Sequence, residues 1–224
     1  MANQPNTLQN LPFSIPQPVM SFGQVLPRLE CGLTMFAGAP LASPVALPFC
    51  APFLLSEQPV VAIDGANCFD LYRLTEWARR KHVDPLTLLQ RLHIARAFTP
   101  FQLATILHHI DGEMEKHGAT QLVITGFPDC LFDEELSTGE AHSTFDRCLS
   151  SLARLCKAPF TILLFADPPR HPISERSRFL NALAGLAQMV LEVRNTHHGE
   201  FVPIKAPSLL ATPHTPGKLE VKHG

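Results

Sequence analysis

"FAGAPLASPVAL", residues 36–47, closes an apolar run that begins at Gly32 and then turns through glycine and proline. A short apolar strand ended by glycine is how a parallel sheet hands its chain over to a covering element. The stretch has the outline of a phosphate-binding loop, G-x4-G-K-[ST]. In such a loop glycines let backbone N–H groups wrap the phosphates, the lysine neutralises their charge, and the hydroxyl holds Mg²⁺. Gly38 starts the pattern, but Ser43 stands for the second glycine, Pro44 for the lysine and Val45 for the hydroxyl residue. Pro44 also lacks an N–H and pushes Ser43 away from the α region, so the anion nest loses a donor and its shape. A charge-assisted contact to phosphate is worth a few kcal/mol, so losing the lysine and the Mg²⁺ anchor together weakens nucleotide binding by orders of magnitude. The expectation is a loop that binds no ATP in the ordinary manner.

Outward from this stretch the chain reads as one domain with tails: 224 residues, 46% of them hydrophobic, suffice for a sizeable core. A formal charge of -2 offers no general attraction to polyphosphate or an anionic membrane, so any nucleic-acid contact must be local. The six cysteines form no CxxC pair, and no basic stretch leads into an apolar run at the N-terminus, which suggests a reducing, cytoplasmic compartment. The most apolar stretch, around Leu41 to Leu55, is interrupted by Pro44, Pro48 and Pro52 and is too short to span a bilayer as a helix.

Five prolines among polar residues make residues 1–28 an extended arm, and Pro213, Pro216 and Gly217 mark 212–224 as a second tail, leaving a core of 29–211. Within the core, strand and helix signals alternate. "GLTMFAG", "PVVAIDG", "LHIARAF", "QLVITGF" and "FTILLFA" are short apolar runs. Between them "LYRLTEWARRK" places Leu71, Leu74, Trp77 and Ala78 at helical spacing, and "PFQLATILHHIDGEMEKHG" opens on a Thr99 cap with Pro100 and closes on Gly118. "HSTFDRCLSSLARLCK" and "RSRFLNALAGLAQ" are helical, and "MVLEVRN" with "EFVPIKA" suggests a closing antiparallel pair. Continuous apolar strands alternating with amphipathic helices predict an α/β sheet covered on both faces.

From "GLTMFAGAP" through "VVAIDGANCFDLYRL", "LHIARAFTPFQLATIL", "QLVITGF" and "FTILLFADP" to "VPIKAPSLLAT", the order and wording resemble the ATPase core of the RecA/Rad51 recombinase family, over roughly residues 29 to 211. "ARAF" followed by Gln102 and a leucine-rich helix is the most specific part. The resemblance implies a RecA-like three-layer sandwich with a mostly parallel central sheet and a C-terminal antiparallel extension. It also implies where chemistry has been lost. The place of the water-orienting glutamate is held by Ala66, that of the Mg²⁺-associated aspartate by Thr125 and Gly126, and that of the polar sensor by Asp167, whose charge is wrong for sensing a γ-phosphate. The fold is therefore expected without the hydrolysis, and no cofactor is expected.

The family binds DNA through two loops. Here the first, "PDCLFDEELSTGE", carries Asp129, Asp133, Glu134, Glu135 and Glu140 and would repel phosphates, while the second offers Arg170, Arg176 and Arg178 as DNA contacts beside a solvated-turn reading. Family members also assemble head to tail through a strand and a phenylalanine anchor that precede the core. Phe13 and Phe22 are the candidates for that anchor, beside the reading of a functionless arm.

Other groups are weaker signals. Glu113 and His117 share one helical face without further visible ligands, and the paired histidines at 108–109 and 197–198 lack metal-ligand spacing. Asp64 and Asn67 after the second strand, with Asp129 and Asp167, mark a crevice at the strand ends where α/β proteins bind ligands, beside two plainer readings that the residues favour: the Asp64 carboxylate caps the following turn, and the run Asp129 to Glu135 is an exposed acidic loop or a docking surface for a basic partner. No G-x-S-x-G elbow is present. The reading is a non-hydrolysing partner or regulator in DNA recombination or repair, with a protein partner that is a RecA-family ATPase or a second copy. Two alternatives stand beside it: an ATP- and Mg²⁺-binding ATPase with a non-standard site at Asp64, Asp129 or Asp167, and a RecA-fold interaction protein such as a cell-division inhibitor.

Overall fold

The computed structural model describes residues 19–38, 42–167, 178–195 and 200–205. Phe13, Arg170, Arg176 and the tail 212–224 lie outside them. The strands are β1 (Met20–Ser21), β2 (Gly32–Ala37), β3 (Val60–Asp64), β4 (Leu92–Arg96), β5 (Gln121–Thr125), β6 (Thr161–Ala166), β7 (Met189–Asn195) and β8 (Glu200–Lys205). They form one sheet in the order β1-β8-β7-β2-β6-β5-β3-β4. The six strands from β7 to β4 run parallel, β8 is antiparallel to β7, and β1 is antiparallel to β8. The expected closing antiparallel pair is thus present.

The helices are α1 (Phe22–Val25), α2 (Ala46–Leu55), α3 (Leu71–Arg80), α4 (Pro85–Leu89), α5 (Pro100–His117), α6 (Thr138–Leu155) and α7 (Arg178–Leu186). Alternation along each strand divides the core between the two faces of the sheet. Leu33, Met35, Ile63, Leu122, Ile124 and Leu164 pack with α5, α6 and α7. Phe36, Val60, Ala62, Val123, Leu163 and Phe165 pack with α2, α3 and α4. The second face is held by aromatic rings: Phe36 stacks on Phe165 at 4.6 Å between centroids, and Phe49 of α2 lies 4.6 Å from Phe36. Each such side chain, fully buried, stabilises the fold by about 1.5–3 kcal/mol. Among the described residues no helix is long and apolar enough to cross a membrane.

The structure corrects the sequence reading in four places. Residues 19–28 belong to the folded body: β1 extends the sheet, Val25 is fully buried, and the ring of Phe22 lies 4.5 Å from that of Phe49. The proline count hid these anchors. α2 is a helix despite Pro48 and Pro52, because Pro48 lies in its first turn, where a missing N–H costs nothing, and six of its ten residues are buried. The short helix α4, capped by Asp84, carried too little periodic signal to be seen. α6 begins at Thr138, four residues before the expected start, because Ser137 and Glu140 cap its first turn reciprocally.

Candidate functional site

The C-terminal ends of β2, β3, β5 and β6 converge, and the side chains that follow them form one hydrogen-bonded network. Asp64 ends β3 in register with Arg96 on β4 and Thr125 on β5. Its side chain has no exposed surface, while that of Arg96 is 44% exposed. One carboxylate oxygen accepts from the Cys68 N–H at 2.9 Å and from the Thr125 hydroxyl at 3.1 Å. The other accepts from the Phe69 N–H at 3.3 Å and lies 3.6 Å from Arg96 Nε. The chain from Gly65 to Phe69 therefore folds back around the carboxylate, with Asn67 exposed at positive φ (50°), a conformation asparagine tolerates.

Asp167, the residue after β6, accepts from the Ser43 N–H at 2.8 Å, and the Ser43 carbonyl accepts from the Cys68 thiol at 3.5 Å. A continuous path thus joins Asp167, Ser43, Cys68, Asp64 and Thr125. Burial pushes the Cys68 thiol up to about 12, the negative charges of Asp64 and Asp167 add to the rise, and a hydrogen bond with Thr125 opposes it. Cys68 is therefore a neutral donor at ordinary pH. The Ser43 hydroxyl is buried with no hydrogen-bond partner among the described residues.

Ser43 opens a 3₁₀ turn, Ser43–Val45, that runs directly into α2. The expectation that Pro44 would drive Ser43 out of helical geometry does not hold: Ser43 is the first residue of the turn, and its N–H is held by the Asp167 carboxylate. Val45 is buried against the aromatic face. Gly38 has a φ of 131°, and a Cβ there would stand 3.0 Å from the Val193 carbonyl oxygen, so its place is explained by packing on β7. Gly126, with φ 76°, lets the end of β5 touch the turn after β3: a Cβ on it would lie 2.3 Å from the Gly65 carbonyl carbon.

Asp129 opens a separate 3₁₀ turn, Asp129–Phe132, and is half-buried beside Cys130, whose thiol it helps push upward. Arg178 is exposed at the start of α7. The ring of Phe22 is engaged within its own chain, so of the two anchor candidates it is not an outward-facing one.

Thr125, Cys68 and Arg96 are the network members that residue-by-residue reading missed as partners of Asp64. The signal was register: three adjacent parallel strands ending in Asp, Thr and Arg. A second grouping was half seen. Glu113 lies 3.4 Å from His117 as their spacing suggested, but His93 of β4 stacks on His117 at 3.5 Å between centroids. Burial, then the positive charges of His117 and Lys116, hold the His93 pKa below the ordinary histidine value, with Glu113 opposing. Among the described residues no group of three or more His, Cys, Asp or Glu is arranged to hold a metal.

No protein-family model matches the chain, and no curated protein matches its sequence. The geometry alone thus describes the site. Asp64 and Asp167 are directed at donors of their own chain, and the first N–H of the helix that follows β2 is already bonded to a carboxylate.

Proposed function

We propose that this chain is a RecA/Rad51-like domain that has given up nucleotide hydrolysis and serves as a partner or regulator in DNA recombination or repair. The observation that supports this most is the Asp167 carboxylate on the Ser43 N–H. A helix N-terminus after the first parallel strand attracts an anion through its unpaired N–H groups and its dipole. Here the chain's own carboxylate meets that preference, and an incoming phosphate would face its negative charge and a proline without an N–H. The mostly parallel sheet with an antiparallel extension is also the arrangement the resemblance implies.

A scaffold kept without its catalysis is kept for its surfaces. Among the described residues β4 is hydrogen-bonded on one side only, to β3, and beyond its end Phe98 is 76% and Phe101 44% exposed. Such an edge accepts an added strand from another protein, in keeping with a RecA-family ATPase or a second copy as partner. DNA contact in this reading depends on the partner.

Calorimetry of the full chain with ATP and Mg²⁺, paired with a thermal shift, tests the reading. No heat and no shift at millimolar nucleotide are expected; micromolar binding would overturn it and favour a remodelled site around Asp64 and Asp167.

A further inference from the structure

On the face of the sheet covered by α2 and α3 lies a groove of about 640 Å³. Its two walls differ in chemistry. α2 and its leading turn contribute Pro44, Pro48 and Pro52, at i, i+4 and i+8. Proline offers no N–H, so this wall is apolar and without backbone donors from those residues. α3 contributes Arg73, Trp77 and Arg80, at i, i+4 and i+7 and thus on one side of the helix. Arg73 and Arg80 are exposed, Trp77 is half-buried, and among the described residues neither guanidinium is in an ion pair. Asp70 also lines the groove, but its carboxylate accepts from the Tyr72 and Arg73 N–H groups as the cap of α3. Two guanidiniums against one committed carboxylate leave the groove positive, in a chain whose formal net charge is -2.

We propose that this groove docks an acidic, partly apolar helical segment of a protein partner. Arg73 and Arg80 are seven residues apart on α3, about 10 Å at the rise of an α-helix. A helix laid along α3 with carboxylates seven residues apart meets both guanidiniums, and its apolar side chains between them cover Trp77 and the prolines. Tryptophan and arginine in such a cleft are the residue types that dominate binding at protein interfaces. Arg73, Trp77 and Arg80 lie outside the strand-end network, so ATP binding would overturn the preceding proposal and leave this one standing.

The test is selection of a random 16-residue peptide display library against the full chain, followed by fluorescence anisotropy with the recovered peptides. Peptides enriched in Asp or Glu are expected, with affinity falling at least about tenfold for the Arg73→Glu/Arg80→Glu variant, as loss of a charge-assisted contact implies. Arg147→Glu, on α6 in the opposite layer, should change nothing. Circular dichroism melting confirms that the surface variants fold. Recovery of no binder, of peptides without acidic enrichment, or of peptides that bind the double variant equally well overturns the proposal. Binding of a dT20 oligonucleotide in place of peptides, lost in the same double variant, assigns the guanidiniums to phosphate and overturns it too.

Discussion

Asp64 is the residue on which the strand-end network turns. Its carboxylate is the acceptor for the Cys68 and Phe69 N–H groups and for the Thr125 hydroxyl. Truncation to alanine leaves these buried donors without an acceptor, and each unsatisfied group costs about 1–3 kcal/mol. Asp64→Ala is therefore expected to lower stability by about 3 kcal/mol or more, read as a fall in the urea midpoint at constant slope. A loss under 1 kcal/mol would mean that Asp64 is not the organiser of the turn and is available to a ligand. Sequence alone placed Asp64 at a strand end and offered its carboxylate as the cap of the following turn, as the Cys68 and Phe69 N–H groups show; the Thr125 hydroxyl and Arg96 reach it from neighbouring strands, which no local stretch records.

At the scale of elements, β1 and α1 matter most to where the domain begins. β1 covers the outer side of β8, Val25 is fully buried, and Phe22 adds its ring to the aromatic face through Phe49. A chain beginning at Leu29 is expected to melt several degrees below one beginning at Val19, since burial of one large apolar side chain contributes about 1.5–3 kcal/mol. Equal melting temperatures would return residues 19–28 to the arm. α2 shows the same limit of sequence reading in another form. Its prolines argue against a helix locally, and Phe49, Cys50 and Leu54 override them by packing on the sheet.

For the whole molecule the buried thiols set a pH dependence. Burial pushes Cys68 and Cys148 each up to about 12, from an ordinary value of 9.0. Above pH 9 the unfolded chain releases these protons while the native chain retains them, so the unfolded state gains and stability falls with rising pH. Their contribution is complete below the unfolded value of 9.0 and is lost as pH rises towards about 12. Urea midpoints should be level between pH 7 and pH 8.5 and lower at pH 10.5, with a shallower decline in Cys68→Ser. A midpoint that holds at pH 10.5 would show that Cys68 and Cys148 are both solvated in the native state.

The sequence by itself determined the alternation of apolar strands and amphipathic helices, the antiparallel close and the presence of Ser43, Pro44 and Val45 where a phosphate-binding loop needs glycine, lysine and a hydroxyl residue, because periodicity and residue chemistry are local properties. It also placed Asp64 and Asp167 at strand ends. Only the tertiary structure decided which partners those carboxylates meet on other strands. Ser43 and Asp167 are separated by 124 positions, and their bond exists because β2 and β6 are neighbours in the sheet. The groove likewise depends on α2 and α3, which follow different strands, lining one cleft. Long-range neighbours follow from strand order, and strand order is settled by the packing of the whole core, which no single stretch of residues records.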